Sequence, residues 1–295
     1  MKKYLTMDVG GSSIKYAVID EDLNILVKGK EPVGTHSKEE LFDPIKKIAD
    51  AYKEGVEGLA MSIPGMLDQD NGFAVTGGAF SWIKNMEYAK EVSELTGLKT
   101  TICNDAKAAA MAEIGYGNLQ GISDGIVIIL GSGIGGAVVV NNELLLGKRY
   151  LAGEFSVLMG DVRQRNGNED MFALTNGITG VRNVMKKYTG LDDIEGLEAF
   201  RLIKANDENA IAAMREFCDI LVRFIFNINI VIDADRCVIG GGISNEPMLM
   251  DFIHEAATQE RMGVFAGFMP EITECKFKAD SNLIGALYHY RQLNG

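Results

Sequence analysis

Short apolar runs alternate with glycine turns and amphipathic stretches along this chain. Residues 3–9 predict a first strand, Tyr16-Ala-Val-Ile19 resumes β character, and Ile25-Leu-Val-Lys-Gly29 predicts a third strand after the turn Asp20–Asn24. Between the first two lies Asp8-Val-Gly-Gly-Ser-Ser-Ile-Lys15. The same grammar returns later: Ile126-Val-Ile-Ile-Leu130, the turn Gly131-Ser-Gly-Ile-Gly-Gly136, then Ala137-Val-Val-Val140 and the turn Asn141-Asn142. A third glycine turn, Gly240-Gly-Gly242, follows the strand candidate Arg236-Cys-Val-Ile239. A strand follows each of the first two turns. Dinucleotide sites and P-loops place a helix there, so neither is expected.

Helical spacing predicts the other elements. Ser37–Tyr52 carries a Ser37/Glu40 capping-box pattern and an apolar face of Leu41, Ile45, Ile48, Ala49 and Tyr52. Further helices are expected over Tyr88–Thr96 (closed by Gly97), Ala106–Glu113, part of Phe172–Tyr188 with a break near Gly177, Leu197–Lys204, Asp207 to about Asn229, Pro247–Gln259 and Asn282–Tyr290. Val56–Ile63, Thr100–Cys103 and Glu274–Ala279 read as strands. Pro64-Gly65 opens a loop-rich hairpin, and Gly77–Asn85 is a glycine–aromatic loop around Trp82, a core candidate. The class is α/β, and 295 residues suggest two domains.

Composition narrows the picture. A net charge of −12 argues against a nucleic-acid partner. No apolar run approaches the roughly 18 residues of a membrane span. The start, Met1-Lys-Lys-Tyr-Leu-Thr-Met7, has no signal-peptide core, so no cleaved leader is expected. Cys103, Cys218, Cys237 and Cys275 are scattered, which suggests a reducing cytoplasm and neither a disulfide framework nor a zinc site. His36, His254 and His289 are isolated and read as packing or surface residues.

The glycine turns carry the candidate chemistry. Four glycines in 131–136 leave the backbone free to take φ > 0 and let a ligand approach, and successive N–H groups there can converge on an anion. An ordinary glycine hairpin is the alternative. Gly10, Gly11, Ser12 and Ser13 offer donors to phosphate, and Asp8 is either a magnesium ligand through water or a turn cap. Two such turns from two halves can clamp one polyphosphate between domains. Asp105 is either a general base at a strand end or the N-cap of the next helix, a role Asn104 can also fill. A helix N-terminus favours the ionised carboxylate that a base requires. Glu154, after Ala152-Gly153 and before Phe155, is either an acceptor for sugar hydroxyls or a surface residue.

The ordered set of motifs resembles the sugar kinases of the ROK family (repressors, open reading frames and kinases), within the actin-like ATPase or hexokinase fold group. The resemblance spans nearly the whole chain. It implies a two-domain, ribonuclease H-like α/β architecture with an interdomain cleft, the smaller domain formed by 1–116 plus 283–295 and the larger by 117–282. It implies that Asp8, Gly10, Gly11, Ser12, Ser13 and Lys15, with Gly131, Ser132, Gly133 and Gly135, hold the phosphates of ATP. Gly240, Gly241 and Gly242 resemble the adenosine motif, and Leu283-Ile-Gly-Ala286 the closing helix. Asp105 would deprotonate the sugar hydroxyl. Asn104 and Glu154 would bind the sugar, helped by the loops at Gly65 and Gly78. Zinc-bearing members place a His three residues after the Ala-Gly-Glu carboxylate and then a cysteine cluster. This chain has Val157 and the cysteine-free stretch Asp161–Asp170, so no zinc is expected and glucose preference is in doubt. Asp170 would stand where those members place a second sugar-binding Glu.

The implied reaction transfers the γ-phosphate of ATP, with magnesium, to a hexose, glucoside or amino sugar, in a homodimeric cytoplasmic enzyme. A β-glucoside or amino sugar is favoured over glucose. One alternative is a sugar-sensing repressor of the same family. It is disfavoured because the first phosphate strand begins within the first ten residues, leaving no room for a helix-turn-helix. The other is a nucleotide-binding module without catalysis.

Overall fold

A computed structural model describes residues 1–131, 133–160, 171–192, 194 and 196–295. The chain divides into two units. One comprises Met1–Gly117, Leu146–Leu151 and Asp280–Gly295; the other comprises Asn118–Leu145 and Ala152–Ala279.

In the first unit, β1 (Lys3–Val9), β2 (Ser13–Asp20) and β3 (Ile25–Pro32) form an antiparallel meander. Helix α1 (Glu39–Tyr52) leads to β4 (Leu59–Ile63), parallel to β1. A small antiparallel sheet of β5 (Leu67–Asp68), β6 (Phe73–Thr76) and β7 (Lys84–Met86) precedes α2 (Tyr88–Thr96). Then come β8 (Thr100–Asn104), parallel to β4, and α3 (Asp105–Tyr116). The main sheet runs β3-β2-β1-β4-β8. Every residue of β4 and β8 is buried, as parallel strands covered on both faces require.

The second unit repeats this order. It holds β9 (Gly125–Leu130), β10 (Ile134–Val140), β11 (Glu143–Leu144), α4 (Phe172–Thr175), α5 (Ile178–Thr189), α6 (Gly196–Lys204), α7 (Glu208–Ile232), β12 (Arg236–Gly240), α8 (Met248–Ala256), α9 (Gln259–Met262) and β13 (Glu271–Glu274). Its sheet runs β11-β10-β9-β12-β13, again an antiparallel meander extended by two parallel strands. The repeated grammar in the sequence is thus a repeated topology. Asn141 and Asn142 take φ of 54° and 60°, the left-handed pair that closes a two-residue hairpin between β10 and β11. Among the described residues, no helix is long and apolar enough to cross a membrane.

Two sequence expectations shift. The last strand is β13, not Glu274–Ala279. Its partner β12 ends at Gly240, and the last ladder bond runs from the Cys275 N–H to the Ile239 carbonyl, so nothing remains to pair with residues further on. Helix α1 begins at Glu39. The Ser37 hydroxyl accepts from the Glu40 N–H, but the Glu40 carboxylate accepts from the His36 N–H, so the capping box is only half made.

The chain returns to the first unit as α10 (Ser281–Asn294), which lies against α3. The contact is backbone to backbone: a Cβ on Gly285 would stand 1.7 Å from the Ala108 carbonyl oxygen. This explains the alanine run in α3, which is buried on all sides. Gly285→Ala would gain about 1 kcal/mol of helix propensity. Forcing two rigid backbones apart costs more, so we expect a net loss of about 2 kcal/mol in chemical unfolding.

His289 on α10 is 4% exposed, with Nε2 3.2 Å from the Gln69 carbonyl oxygen. Burial holds its pKa below the ordinary 6.5. The unfolded chain therefore binds a proton that the folded one refuses. Stability from this group is complete above about pH 6.5 and falls as pH drops below it. Urea midpoints should fall less steeply between neutral and mildly acidic pH in His289→Gln than in the parent.

Candidate active site

Within the first unit, the candidate residues gather at the C-terminal ends of the parallel strands. This is where open α/β sheets bind ligands. Strand register puts Asp8 beside Ser62 and Ser62 beside Cys103, with Asn104 and Asp105 next along the chain. The buried Cys103 thiol lies among these carboxylates. Burial, chiefly, raises its pKa, and the Asp105 and Asp8 carboxylates add to the shift.

Asp8 is 8% exposed. Its Oδ1 accepts from Ser62 Oγ at 2.7 Å and Asn282 Nδ2 at 3.0 Å, and its Oδ2 lies 3.6 Å from Lys15 Nζ. It does not cap the glycine turn, which the Gly10 N–H closes on the Ser13 carbonyl at 2.9 Å. Three donors hold a single carboxylate in place. One fixed carboxylate suits a magnesium ion whose other ligands are phosphate oxygens and waters. Among the described residues no cluster of three or more His, Cys, Asp or Glu can hold a metal by itself.

The cap of α3 is Asn104. Its Oδ1 accepts from the N–H groups of Ala106 and Lys107, at 3.0 and 3.1 Å. Its Nδ2 donates to the Gly65 carbonyl at 3.0 Å, so the amide is largely engaged within the protein. Asp105, half-buried, is the first residue of α3, and its Oδ1 accepts from the Ala106 N–H at 2.8 Å. The loops at Gly65 and Gly78 are brought together. Gly65 takes φ of 115°, and a Cβ there would stand 2.2 Å from the Thr76 carbonyl oxygen and 2.9 Å from the Gly78 nitrogen. Asn104 thus ties the sugar-loop candidates to the helix that bears Asp105. Trp82 packs edge-on against Phe42 and Phe80, in keeping with a core role.

In the second unit, the β9–β10 turn closes with the Gly131 N–H on the Gly133 carbonyl at 3.0 Å. Ser132 lies outside the described residues. The start of α5 docks on this turn: the Ile178 N–H donates to the Gly131 carbonyl at 3.0 Å. A Cβ on Gly177, which has φ of 87°, would stand 2.9 Å from the Gly133 carbonyl oxygen. From Gly131 a cavity of about 460 Å³ extends past Arg182, Phe200, Gly242, Asn245 and Glu246. Of the three adenosine-motif glycines only Gly242 lines it. Gly240 packs against Cys275, and Gly241 (φ 96°) lies against the Leu130 backbone. Arg182, Phe200, Asn245 and Glu246 escaped sequence reasoning because they come from separate elements with no shared periodicity. The break near Gly177 was the nearest signal.

The glycines fall into two kinds. Gly136 lies within β10, where a Cβ would meet the Phe155 ring at 2.3 Å and the Gly153 carbonyl oxygen at 2.6 Å. Gly153 (φ 75°) packs against Ala137. These two let Ala152–Glu154 lie on the strand, and Glu154 is left half-buried before a short 3₁₀ turn over Phe155–Val157. Gly135 also belongs to β10. Gly10, Gly11 and Gly131 differ. They stay outside the left-handed region, which at Gly131 corrects the φ > 0 expected of the 131–136 turn, and a Cβ on them would meet nothing nearer than 3.4 Å. Gly133 and Gly242 have no neighbour within 4 Å. Side chains at these five positions would fill only the space in front of the turns. That space suits phosphate oxygens approaching backbone N–H groups. Asp170, with the zinc-motif region 161–170, lies outside the described residues.

Known proteins match this architecture over its full length. The family model described as "ROK family" matches residues 4–292. A β-glucoside kinase of Listeria monocytogenes serovar 1/2a is 29% identical, over 98% of each chain. An N-acetylmannosamine kinase of Citrobacter koseri is 23% identical, over 96% of each. Among solved structures, the Lmo2764 protein of Listeria monocytogenes superposes with a TM-score of 0.86 at 26% identity, covering 99% of this chain and all of the other. A ROK glucokinase from Streptomyces griseus, solved with glucose and AMPPNP, has a TM-score of 0.83 at 22% identity, over 98% and 99% of the two chains. The paired β-meander sheets, the glycine turns at their strand ends and the full-length match lead to one conclusion: the chain belongs to the ROK family and has its actin-like ATPase fold.

Proposed function

We propose that the protein is an ATP-dependent sugar kinase whose general base is Asp105. The five glycines that neither the fold nor the backbone conformation requires carry this reading. In the first unit, Gly10–Ser13 and Lys15 supply donors to the ATP phosphates. In the second, the turn at Gly131 and Gly133 does the same, and the cavity past Gly242 takes the adenosine. Bound magnesium, held through water by Asp8, would draw charge from the β and γ phosphates. Asp105 accepts the proton of the sugar hydroxyl as its oxygen forms the bond to the γ-phosphorus and the bond to ADP breaks. Glu154 accepts hydrogen bonds from the sugar. Asn104 has few donors left for a ligand, so its chief part is to hold the Gly65 loop and the start of α3.

Val157, standing where zinc-bearing members of the family place a His, supports a reading of the sugar class. It is 60% exposed and ends the short 3₁₀ turn that follows Glu154. An apolar side chain there favours a β-glucoside or an amino sugar over glucose. The names of the relatives, β-glucoside kinase and N-acetylmannosamine kinase, agree with this. Four buried cysteines outside any disulfide suit a reducing cytoplasm. The family resemblance suggests a homodimer.

A coupled assay of ADP release with β-glucosides, N-acetylmannosamine, glucose and fructose tests the reading. The expected result is sugar-dependent turnover, with kcat/KM for a glucoside or amino sugar at least about tenfold above glucose. ATP binding with no sugar-dependent turnover would favour the non-catalytic nucleotide-binding module.

A further inference from the structure

A second cavity, of about 300 Å³, opens in the first unit at the end of β8 opposite Asp105. Its walls are the turn between β5 and β6, the start of β8 with Lys99 just before it, Ala89 of α2 and the last turn of α10. Thr101 lines it, and Asn104 lies three residues further along β8, about 10 Å by strand rise. The cavity is therefore separate from the candidate active site, and phosphoryl transfer gives it no role.

Its polar groups are under-used. Thr101 is 7% exposed, and its buried hydroxyl has no hydrogen-bond partner. Gln69, 5% exposed, also lines the cavity; its side-chain amide donates only to the Met111 sulfur at 3.9 Å, a weak acceptor. Buried polar groups are normally satisfied, and leaving them unmet is costly. Two exposed residues of opposite charge, Asp70 and Lys99, stand at the mouth. Among the described residues neither enters an ion pair.

The lining selects a class of ligand. The size is at the small end of the range for ligand sites. No aromatic side chain is among the described lining residues, so a nucleobase has nothing to stack on. A simple anion would meet Asp70 and a simple cation would meet Lys99, each a like charge. A small molecule bearing both charges satisfies both residues through charge-assisted hydrogen bonds. We infer that this cavity binds a small α-amino acid, its ammonium on Asp70 and its carboxylate on Lys99. The side chain then enters toward Thr101 and Gln69, which favours a short polar one such as that of serine, threonine or asparagine. The inference is independent of the kinase reading, since it concerns binding alone.

Isothermal titration of the full chain with serine, threonine and asparagine, without ATP or sugar, tests it. At least one should saturate at one per chain with Kd below about 1 mM. Propionate and ethylamine, which carry one charge each, should bind at least about tenfold more weakly. Asp70→Asn and Lys99→Met should each weaken the amino acid at least about tenfold, with far-UV circular dichroism unchanged. Thr101→Val supplies the second readout. It removes a hydroxyl that nothing in the protein satisfies, so thermal stability without ligand should hold or rise, while amino-acid binding weakens at least about fivefold. No saturation by any of the three amino acids below about 10 mM, or binding that all three folded variants leave unchanged, would overturn the inference.

Discussion

Asp105→Asn is expected to lower kcat by about 10²–10⁴-fold while leaving the fold and both KM values nearly unchanged. Asparagine keeps the shape of the side chain and its acceptor toward the Ala106 N–H. The α3 cap also survives, because it belongs to Asn104. What is lost is the ability to take a proton from the attacking hydroxyl. Asn104→Ala gives the contrasting pattern. It removes the cap, worth about 0.5–2 kcal/mol, and frees the Gly65 loop, so stability and sugar KM change along with kcat. Steady-state kinetics beside urea unfolding on both variants separate the two roles. An Asp105→Asn enzyme with near-parental kcat would remove Asp105 from the chemistry.

The second large effect is at Gly131. A Cβ there meets nothing nearer than 3.9 Å within the protein. Gly131→Ala should therefore leave stability unchanged or raise it by about 0.4–1 kcal/mol through the stiffer unfolded chain. It should still raise ATP KM at least about tenfold, since the methyl occupies the space a phosphate needs. Gly136→Ala is the control. Its Cβ would collide with the Phe155 ring and the Gly153 carbonyl, so stability should fall by about 1–3 kcal/mol. Thermal melts and ATP titrations of the pair decide. Equal destabilisation with unchanged ATP KM would make Gly131 a packing glycine like Gly136.

These contrasts mark what the sequence could reveal. The first two glycine turns were visible because each follows an apolar run and precedes another, and that grammar repeats with the topology of each sheet. Asp105 was visible as a carboxylate at a strand-to-helix junction, but which of Asn104 and Asp105 caps the helix depended on geometry. The sorting of glycines was not readable at all. Gly240, Gly241 and Gly242 are chemically identical neighbours, and only the approach of Cys275 and Leu130 separates packing positions from the one on the cavity wall. The cavity wall draws on α5, α6 and the turn after β12, which no local pattern connects. The last strand was misplaced because Cys275–Ala279 has β-like character, whereas pairing is decided by where β12 ends.

Phosphorus NMR of the parent protein with ATP, magnesium and its best sugar tests the central claim most directly. The account predicts a sugar-phosphate resonance that grows one-for-one with ADP and fails to grow with Asp105→Asn over the same period. ADP accompanied by inorganic phosphate and no sugar phosphate, or equal sugar-phosphate formation by Asp105→Asn, would contradict it.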